Sequence, residues 1–225
     1  MFEYHAIVLA AGEGKRMNVG ENKQFVLIGK QPLIIHTLDV FNKDPWCSSI
    51  TLVVSKKDKE RMEEILATYK QKKDIHLTIG GAERQESVYL GLRAMEKRDT
   101  VVFVHDGARP FVSMESLHHL AEAAYHHKAA LLAVPVTDTI KQRNGQSLNT
   151  LDRKTLWAAQ TPQAFHFDII FDAHKQAAQD QFLGTDDTSL VERLNIPVEI
   201  VMGSYDNMKL TTPEDLKRAQ AFLKK

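Results

Sequence analysis

The chain has 225 residues, long enough to bury a sizeable core without disulfides or metals, and a single domain spanning 1–225 is expected. Lys plus Arg and Asp plus Glu each number 29, so no global basic field draws in nucleic acid or an anionic membrane surface, and a phosphate ligand must be held by a local cluster. Cys47 is the only cysteine and the N-terminal apolar run is too short for a signal peptide or a membrane span, so no disulfide framework and a cytoplasmic location are expected.

Short apolar runs alternate with longer amphipathic stretches, which predicts an α/β domain with a mostly parallel sheet and helices on both faces. The first strand, 7–10, breaks into AAGEGKRM. This loop lacks both the Gly-Lys-Ser/Thr ending of a P-loop and a G-x-G-x-x-G fingerprint. Its small residues Ala10, Ala11, Gly12 and Gly14 still let backbone amides form an anion-binding concavity, to which Arg16 adds a forked donor. Lys23, in ENKQF, lies within reach of the same loop, and together the two cations can neutralise a polyphosphate; singly, each reads equally well as a solvated charge. A helix over 32–42, a strand over 50–54, a helix over 56–70 and a strand over 75–79 follow.

That strand leads into GGAERQES, where Gly80 and Gly81 permit backbone contact with a flat base edge and Ser87 opens a helix over 87–97 with a hydroxyl available to a ligand or to a capped turn. The strand over 101–104 ends in HDGARP, which sets Asp106 and Arg109 at its tip among the small Gly107 and Ala108. The carboxylate suits a ribose hydroxyl or a hydrated metal and the guanidinium a phosphate, or the two brace the loop as a salt bridge. Ligands of such sheets sit at the C-terminal ends of the strands, so these three loaded ends should converge.

The helix over 114–127 carries His118-His119 and His126-His127, members of which share a face two turns apart, too far for one metal, and read as a solvated surface. After a strand over 130–136, the polar stretch 139–152 reads as a projecting β-hairpin with Asn144-Gly145 in a type I′ turn. As an arm over 138–153 it either covers the sheet edge or reaches a neighbouring subunit. A helix over 167–178, a strand over 198–202 and a helix over 213–223 complete the rhythm. Arg153 and Thr161 lie in LDRKTLWAAQTPQAF, Thr185 in TDDTSLVE and Lys209 in YDNMKLTTPEDL. Helix capping accounts for Thr212, Pro213 and Asp215 but not for Lys209, and Ser189 with Glu192 forms a candidate capping box.

Eight stretches in order, LAAGEGKRM, KQF, GGAERQESV, VHDGARP, DTIK, LDRKTLWAAQTPQAF, TDDTSLVE and GSYDNMKLTTPEDL, cover nearly the whole chain and together resemble the 2-C-methyl-D-erythritol 4-phosphate cytidylyltransferases, CTP-using enzymes of the non-mevalonate isoprenoid pathway. The resemblance implies a Rossmann-like nucleotidyltransferase domain, CTP with Mg²⁺ bound mainly through its phosphates, and a homodimer whose hairpin arms complete each other's sites. It assigns the phosphate loop to Ala10, Ala11, Gly12 and Gly14, the transition-state cations to Arg16 and Lys23, and the cytosine contacts to Gly81, Ala82 and Ser87. Asp106, Gly107 and Arg109 fall at the ribose, metal region and acceptor; Thr139, Arg153, Thr161, Thr185 and Lys209 fall at the acceptor phosphate, Thr139 and Arg153 coming from the partner's arm. No residue is assigned as a direct metal ligand. Two positions depart from the family pattern: Ala82 stands where Asp is frequent, leaving only backbone beside the base, and Gly107 stands where Ala is usual, a change between two small residues that should be tolerated.

The implied chemistry is in-line attack of an acceptor phosphate oxygen on the α-phosphorus of CTP with loss of pyrophosphate. The attacking oxygen is already anionic near neutral pH, since a second phosphate pKa lies near about 6, so no general base is needed. A ribitol 5-phosphate cytidylyltransferase and a nucleotide-binding regulator without turnover are the competing readings; the first tends to carry Ala-Gly-Gly where this chain has Ala-Ala-Gly.

Overall fold

A computed structural model describes residues 2–12 and 22–223 of the chain. The first apolar run forms β1 (Tyr4–Leu9), followed by the short pair β2 (Leu27–Ile28) and β3 (Gln31–Pro32), then α1 (Leu33–Lys43), β4 (Cys47–Val54), α2 (Lys59–Thr68) and β5 (Asp74–Ile79). Next come α3 (Arg84–Ala94), β6 (Val101–Asp106), α4 (Met114–His127) and β7 (Ala129–Pro135). The hairpin β8 (Lys141–Asn144) and β9 (Ser147–Thr150) precedes β10 (Trp157–His166), α5 (Phe167–Gln179), α6 (Asp187–Arg193), β11 (Glu199–Met202) and α7 (Pro213–Phe222).

The central sheet has seven strands in the order β11-β7-β10-β6-β1-β4-β5. All neighbours run parallel except β10, which is antiparallel to both β6 and β7. Strands buried on both faces read as near-continuous apolar runs, and β1, β4 and β6 do so apart from His5, Ser48, Ser49, Thr51, His105 and Asp106. On one face Ala6, Leu52 and Phe103 pack under α1, α2 and α4; on the other Ile7, Val53 and Val104 pack under α3, α5 and α6. A smaller cluster, Ile28, Leu33, Ala108, Leu210 and Ala219, seats α7 against β2 and the tip of β6. Thr212 caps α7 reciprocally with Asp215 and Pro213 opens it, as its sequence signal implies.

Five sequence-based expectations change. The stretch around Pro162, read only as a motif, is strand β10; its register against β7 shifts between Ala159 and Gln163, so the proline lies where the ladder is interrupted and no N–H is missed. The helix expected from 87 begins at Arg84, ahead of Ser87. Helix α6 was absent from the periodic pattern because it is short, and its capping box joins Asp186 to Ser189 instead of Ser189 to Glu192. The hairpin forms, but its central pair is Gly145-Gln146, with only Gly145 at positive φ (61°); a glycine first in the pair is the type II′ requirement, not type I′. His118 is only partly solvated: its ring stacks on Trp46 at 3.9 Å and its Nε2 lies 2.9 Å from the fully buried Asp44, which also accepts from Tyr4 Oη at 2.6 Å.

Candidate active site

Three strand ends are stitched together by backbone hydrogen bonds. Ala10 N–H donates to Val53 O at 2.7 Å, Gly80 N–H to Val54 O at 2.8 Å and Gly107 N–H to Leu9 O at 2.9 Å. Small residues are required for this approach: a Cβ on Gly80 would lie 2.7 Å from Ser87 Oγ and 2.9 Å from Ala11 Cβ. The convergence leaves a cavity of about 180 Å³ lined by Ala11, Gly12, Lys23, Gly81, Ala82, Ser87, Asp106, Gly107 and Lys209, together with Leu9, Gln24, Glu83, Arg84 and Ala108. Ser87, buried at the first turns of α3, accepts from Gly81 N–H at 3.2 Å and so shapes the glycine turn.

Asp106 is the hub of the pocket. Its Oδ2 lies 2.6 Å from Lys209 Nζ and its Oδ1 3.3 Å from Arg84 Nε. Burial alone would raise this carboxyl, but Arg84 and Lys209 outweigh it and hold Asp106 well below the usual carboxylate range. Lys209 is brought in by the segment between β11 and α7, where Leu210 N–H donates to Ala108 O at 2.8 Å. Lys23 Nζ reaches the carbonyl of the same Leu210 at 3.3 Å, so both lysines lean on one strap of chain.

Arg84 also donates through Nη1 to Asp187 Oδ2 at 2.7 Å. Burial would lower its guanidinium, but Asp187 and Asp106 together push it above its ordinary value, so its charge is permanent. Asp187 resembles Asp106: burial raises its carboxyl, and Arg84 with His174 brings it below the ordinary range.

The remaining expected site residues are distributed around this pocket. Ala10 is buried behind it. Gly14 and Arg16 lie outside the described residues. Arg109 does not pair with Asp106; its Nη1 donates to Asn207 O at 2.6 Å, so the bracing salt bridge considered from HDGARP is replaced by Asp106 with Arg84 and Lys209. Thr161 is buried one step back, its Oγ1 accepting from Asp106 N–H at 3.0 Å. Thr185 lines an adjoining cavity of about 100 Å³ that shares Glu83 and Arg84 with the first. Thr139 and Arg153 line a separate groove at the base of the hairpin, where Arg153 Nη1 donates to Thr137 O at 2.6 Å.

Sequence reasoning passed over Arg84 and Gln24, and marked Asp187 in TDDTSLVE without giving it a role. Arg84 sits inside the quoted GGAERQES, but no spacing rule separates it from a surface arginine; Gln24 follows Lys23 and is only 2 % exposed, with Oε1 buried and unpartnered. Among the described residues no three His, Cys, Asp or Glu side chains gather to hold a metal ion. The pocket nonetheless suits Mg²⁺, which binds through one or two carboxylates plus substrate phosphates, because Asp106 is held ionised at its wall.

Cations gathered where glycine-rich strand ends meet at one edge of a mostly parallel sheet define a nucleotide-handling α/β protein of the nucleotidyltransferase class. Residues 4–225 match the family model described as 2-C-methyl-D-erythritol 4-phosphate cytidylyltransferase. The protein of that name from Geobacillus kaustophilus (strain HTA426) is 54 % identical over 221 residues, covering 98 % of this chain and 96 % of the relative. The crystal structure of 4-diphosphocytidyl-2C-methyl-D-erythritol synthase from Anaerococcus prevotii DSM 20548 matches with a TM-score of 0.88 at 31 % identity, covering 99 % of this chain and 96 % of that one. That of the cytidylyltransferase from Thermus thermophilus matches with a TM-score of 0.81 at 30 % identity, covering 99 % and 100 %. The chain belongs to the 2-C-methyl-D-erythritol 4-phosphate cytidylyltransferase family and is an enzyme of the cytidylyltransferase type.

Proposed function

We propose that the chain transfers CMP from CTP to 2-C-methyl-D-erythritol 4-phosphate, releasing pyrophosphate and forming 4-diphosphocytidyl-2-C-methyl-D-erythritol in non-mevalonate isoprenoid synthesis. The observation that carries this reading is the meeting of Lys23, Lys209 and ionised Asp106 with the Gly12, Gly81 and Gly107 turns in one cavity, in a chain of this family.

Charge crowding among phosphates is the main barrier, and the chain's cations relieve it. Lys23, with Arg16 and the amides of the Ala10, Ala11, Gly12 and Gly14 loop, holds the triphosphate of CTP and takes up charge as the α-phosphorus is attacked. Gly81, Ala82 and Ser87 hold cytosine through backbone and hydroxyl groups, with Ala82 contributing no side-chain polarity. Asp106 and Gly107 face the ribose. Lys209, Arg109, Thr161 and Thr185 serve the acceptor side, where Lys209 must share itself between Asp106 and the acceptor phosphate. Asp106 is the carboxylate on the cavity wall available to Mg²⁺ held by the CTP phosphates, and the ion would supply further neutralisation of charge.

The same reading makes 1–225 a single domain with 138–153 as a dimerisation arm, and the enzyme a cytoplasmic homodimer in which Thr139 and Arg153 serve the partner's site. Supporting the dimer, β8 and β9 are fully exposed and bury no core of their own. Leu148, Trp157, Met202 and Tyr205 are large apolar side chains left in solvent, and Trp157 and Tyr205 both abut Pro135 near the hairpin base. Among the described residues no helix is long and apolar enough to cross a membrane. Pyrophosphate release measured with methylerythritol phosphate and with ribitol 5-phosphate as separate acceptors tests the assignment; faster turnover with the ribitol ester would defeat it.

A further inference from the structure

The pocket's carboxylate is braced from behind by groups that the transfer chemistry does not touch. His174 on α5 and Asp187 at the start of α6 are each 1 % exposed and meet at 3.1 Å, His174 Nε2 donating to Asp187 Oδ1. Asp187 Oδ2 takes Arg84 Nη1 at 2.7 Å, and Arg84 Nε reaches Asp106 at 3.3 Å. The Asp187 and Thr188 amides are themselves pinned by Gln163 Oε1 at 3.1 and 3.2 Å, so Asp187 cannot follow a guanidinium that moves.

Stability gives no reason for this arrangement. With Nε2 donating to the carboxylate, His174 Nδ1 is buried without a partner, in a layer otherwise built of Ile170, Ala173, Ala177 and Leu190. A buried ion pair is often replaceable as a whole by apolar side chains without loss, so stability does not by itself account for the couple, although removing His174 alone would leave Asp187 Oδ1 without its donor. What the couple supplies is direction. A planar guanidinium clamped at Nη1 has its Nε aimed one way, here at Asp106 Oδ1, which leaves Oδ2 for Lys209.

We propose that His174 and Asp187 are positioning residues for nucleotidyl transfer, acting through Arg84 to hold the Asp106 carboxylate between Arg84 and Lys209. Without the clamp Arg84 leaves Asp106, the carboxylate turns wholly to Lys209, and the charge facing CTP is rearranged. The inference deepens the reaction proposed above and rests on it for its kinetic consequence.

The test compares the full-length wild type with His174→Phe, His174→Gln and Asp187→Asn, using steady-state kinetics with CTP varied and the Arg84 Nε–H signal by NMR in the ligand-free protein. His174→Phe and Asp187→Asn should raise KM for CTP about tenfold and shift the Arg84 signal, while His174→Gln, whose amide donates from near the Nε2 position, should return both to within about threefold of wild type. Assayed well below each variant's Tm, where nearly all of the enzyme is folded, a purely structural role would lower Tm and leave KM for CTP unmoved. Unchanged KM together with an unchanged Arg84 signal in His174→Phe overturns the inference. A wild type that releases no pyrophosphate overturns the reaction proposed above, and the Arg84 signal then still decides whether the couple positions the guanidinium.

Discussion

Lys23 and Gly107 line the same cavity and should fail in different ways when changed. Lys23→Ala removes a cation placed for developing phosphate charge and should cost roughly 3 kcal/mol of transition-state stabilisation, about a hundredfold in kcat. Its ammonium is only half-buried against the Leu210 carbonyl, so unfolding by urea should move by no more than about 0.5 kcal/mol. Turnover near wild type would remove Lys23 from the mechanism. Gly107→Ala acts through space instead of charge: the new Cβ would lie 2.7 Å from the Leu9 carbonyl and 3.1 Å from Gln24 Nε2, forcing the β1 and β6 tips apart. A loss of about 1–3 kcal/mol in stability, with weaker CTP binding by calorimetry, is the expected outcome. The substitution must open this contact by a small backbone shift, so the exchange of two small residues is less neutral than their sizes imply. A Gly107→Ala protein as stable as wild type would show that the shift is cheap.

The elements divide into those that build the core and one that does not. Every helix expected from periodicity is present, because an apolar stripe at helical spacing is a local property that packing against the sheet then uses. Strand β10 was not legible as a strand, since its small residues and Pro162 carry no β signal and its place between β6 and β7 is set by pairing with both. The hairpin was legible from its polarity, but its turn moved by one residue because register across Lys141–Thr150 and Asn144–Ser147 decides which pair sits at the tip. Its side chains are exposed throughout, so replacing 141–150 by a short Gly-Ser link should leave Tm of the remaining fold within a few degrees of wild type at a matched low concentration. The same protein should sediment as a monomer and turn over poorly if the arm joins two copies and delivers Arg153 to the partner. A linker variant that stays dimeric and active would remove the arm from both roles.

Taken as a whole, the fold buries two histidines that do not protonate readily. Burial, reinforced by His76, lowers His5 from 6.5 to about 4, and burial outweighs the Arg109 carbonyl to lower His105 from 6.5 to about 4. The unfolded chain therefore binds more protons than the native one between those values, and stability rises with pH across that window. Each histidine's contribution is fully present above about pH 6.5 and lost as pH falls toward 4, by up to about 3 kcal/mol. Asp106 and Asp187, held below the usual range, add their own loss only as pH falls toward 4 and below. Urea midpoints at pH 7.5 and pH 4.5 should differ clearly, and His105→Gln should flatten the slope between them; a flat profile in the wild type would show that neither ring is buried neutral.

Reading the letters alone was enough to place the strands and helices other than β10, α6 and the short β2–β3 pair, and to mark the three loaded strand ends, because hydrophobic period, glycine clusters and capping signals all act over a few neighbouring residues. The company kept by Asp106 was not available that way. Its partner Arg84 lies 22 positions off, Arg84 finds Asp187 at a distance of 103 positions, and Lys209 arrives on the last connection before α7. A charge pair between such remote points has no local signal: the sheet order must first bring β6, α3 and α6 side by side, and only then does the low-dielectric interior make one carboxylate choose among Arg109, Arg84 and Lys209.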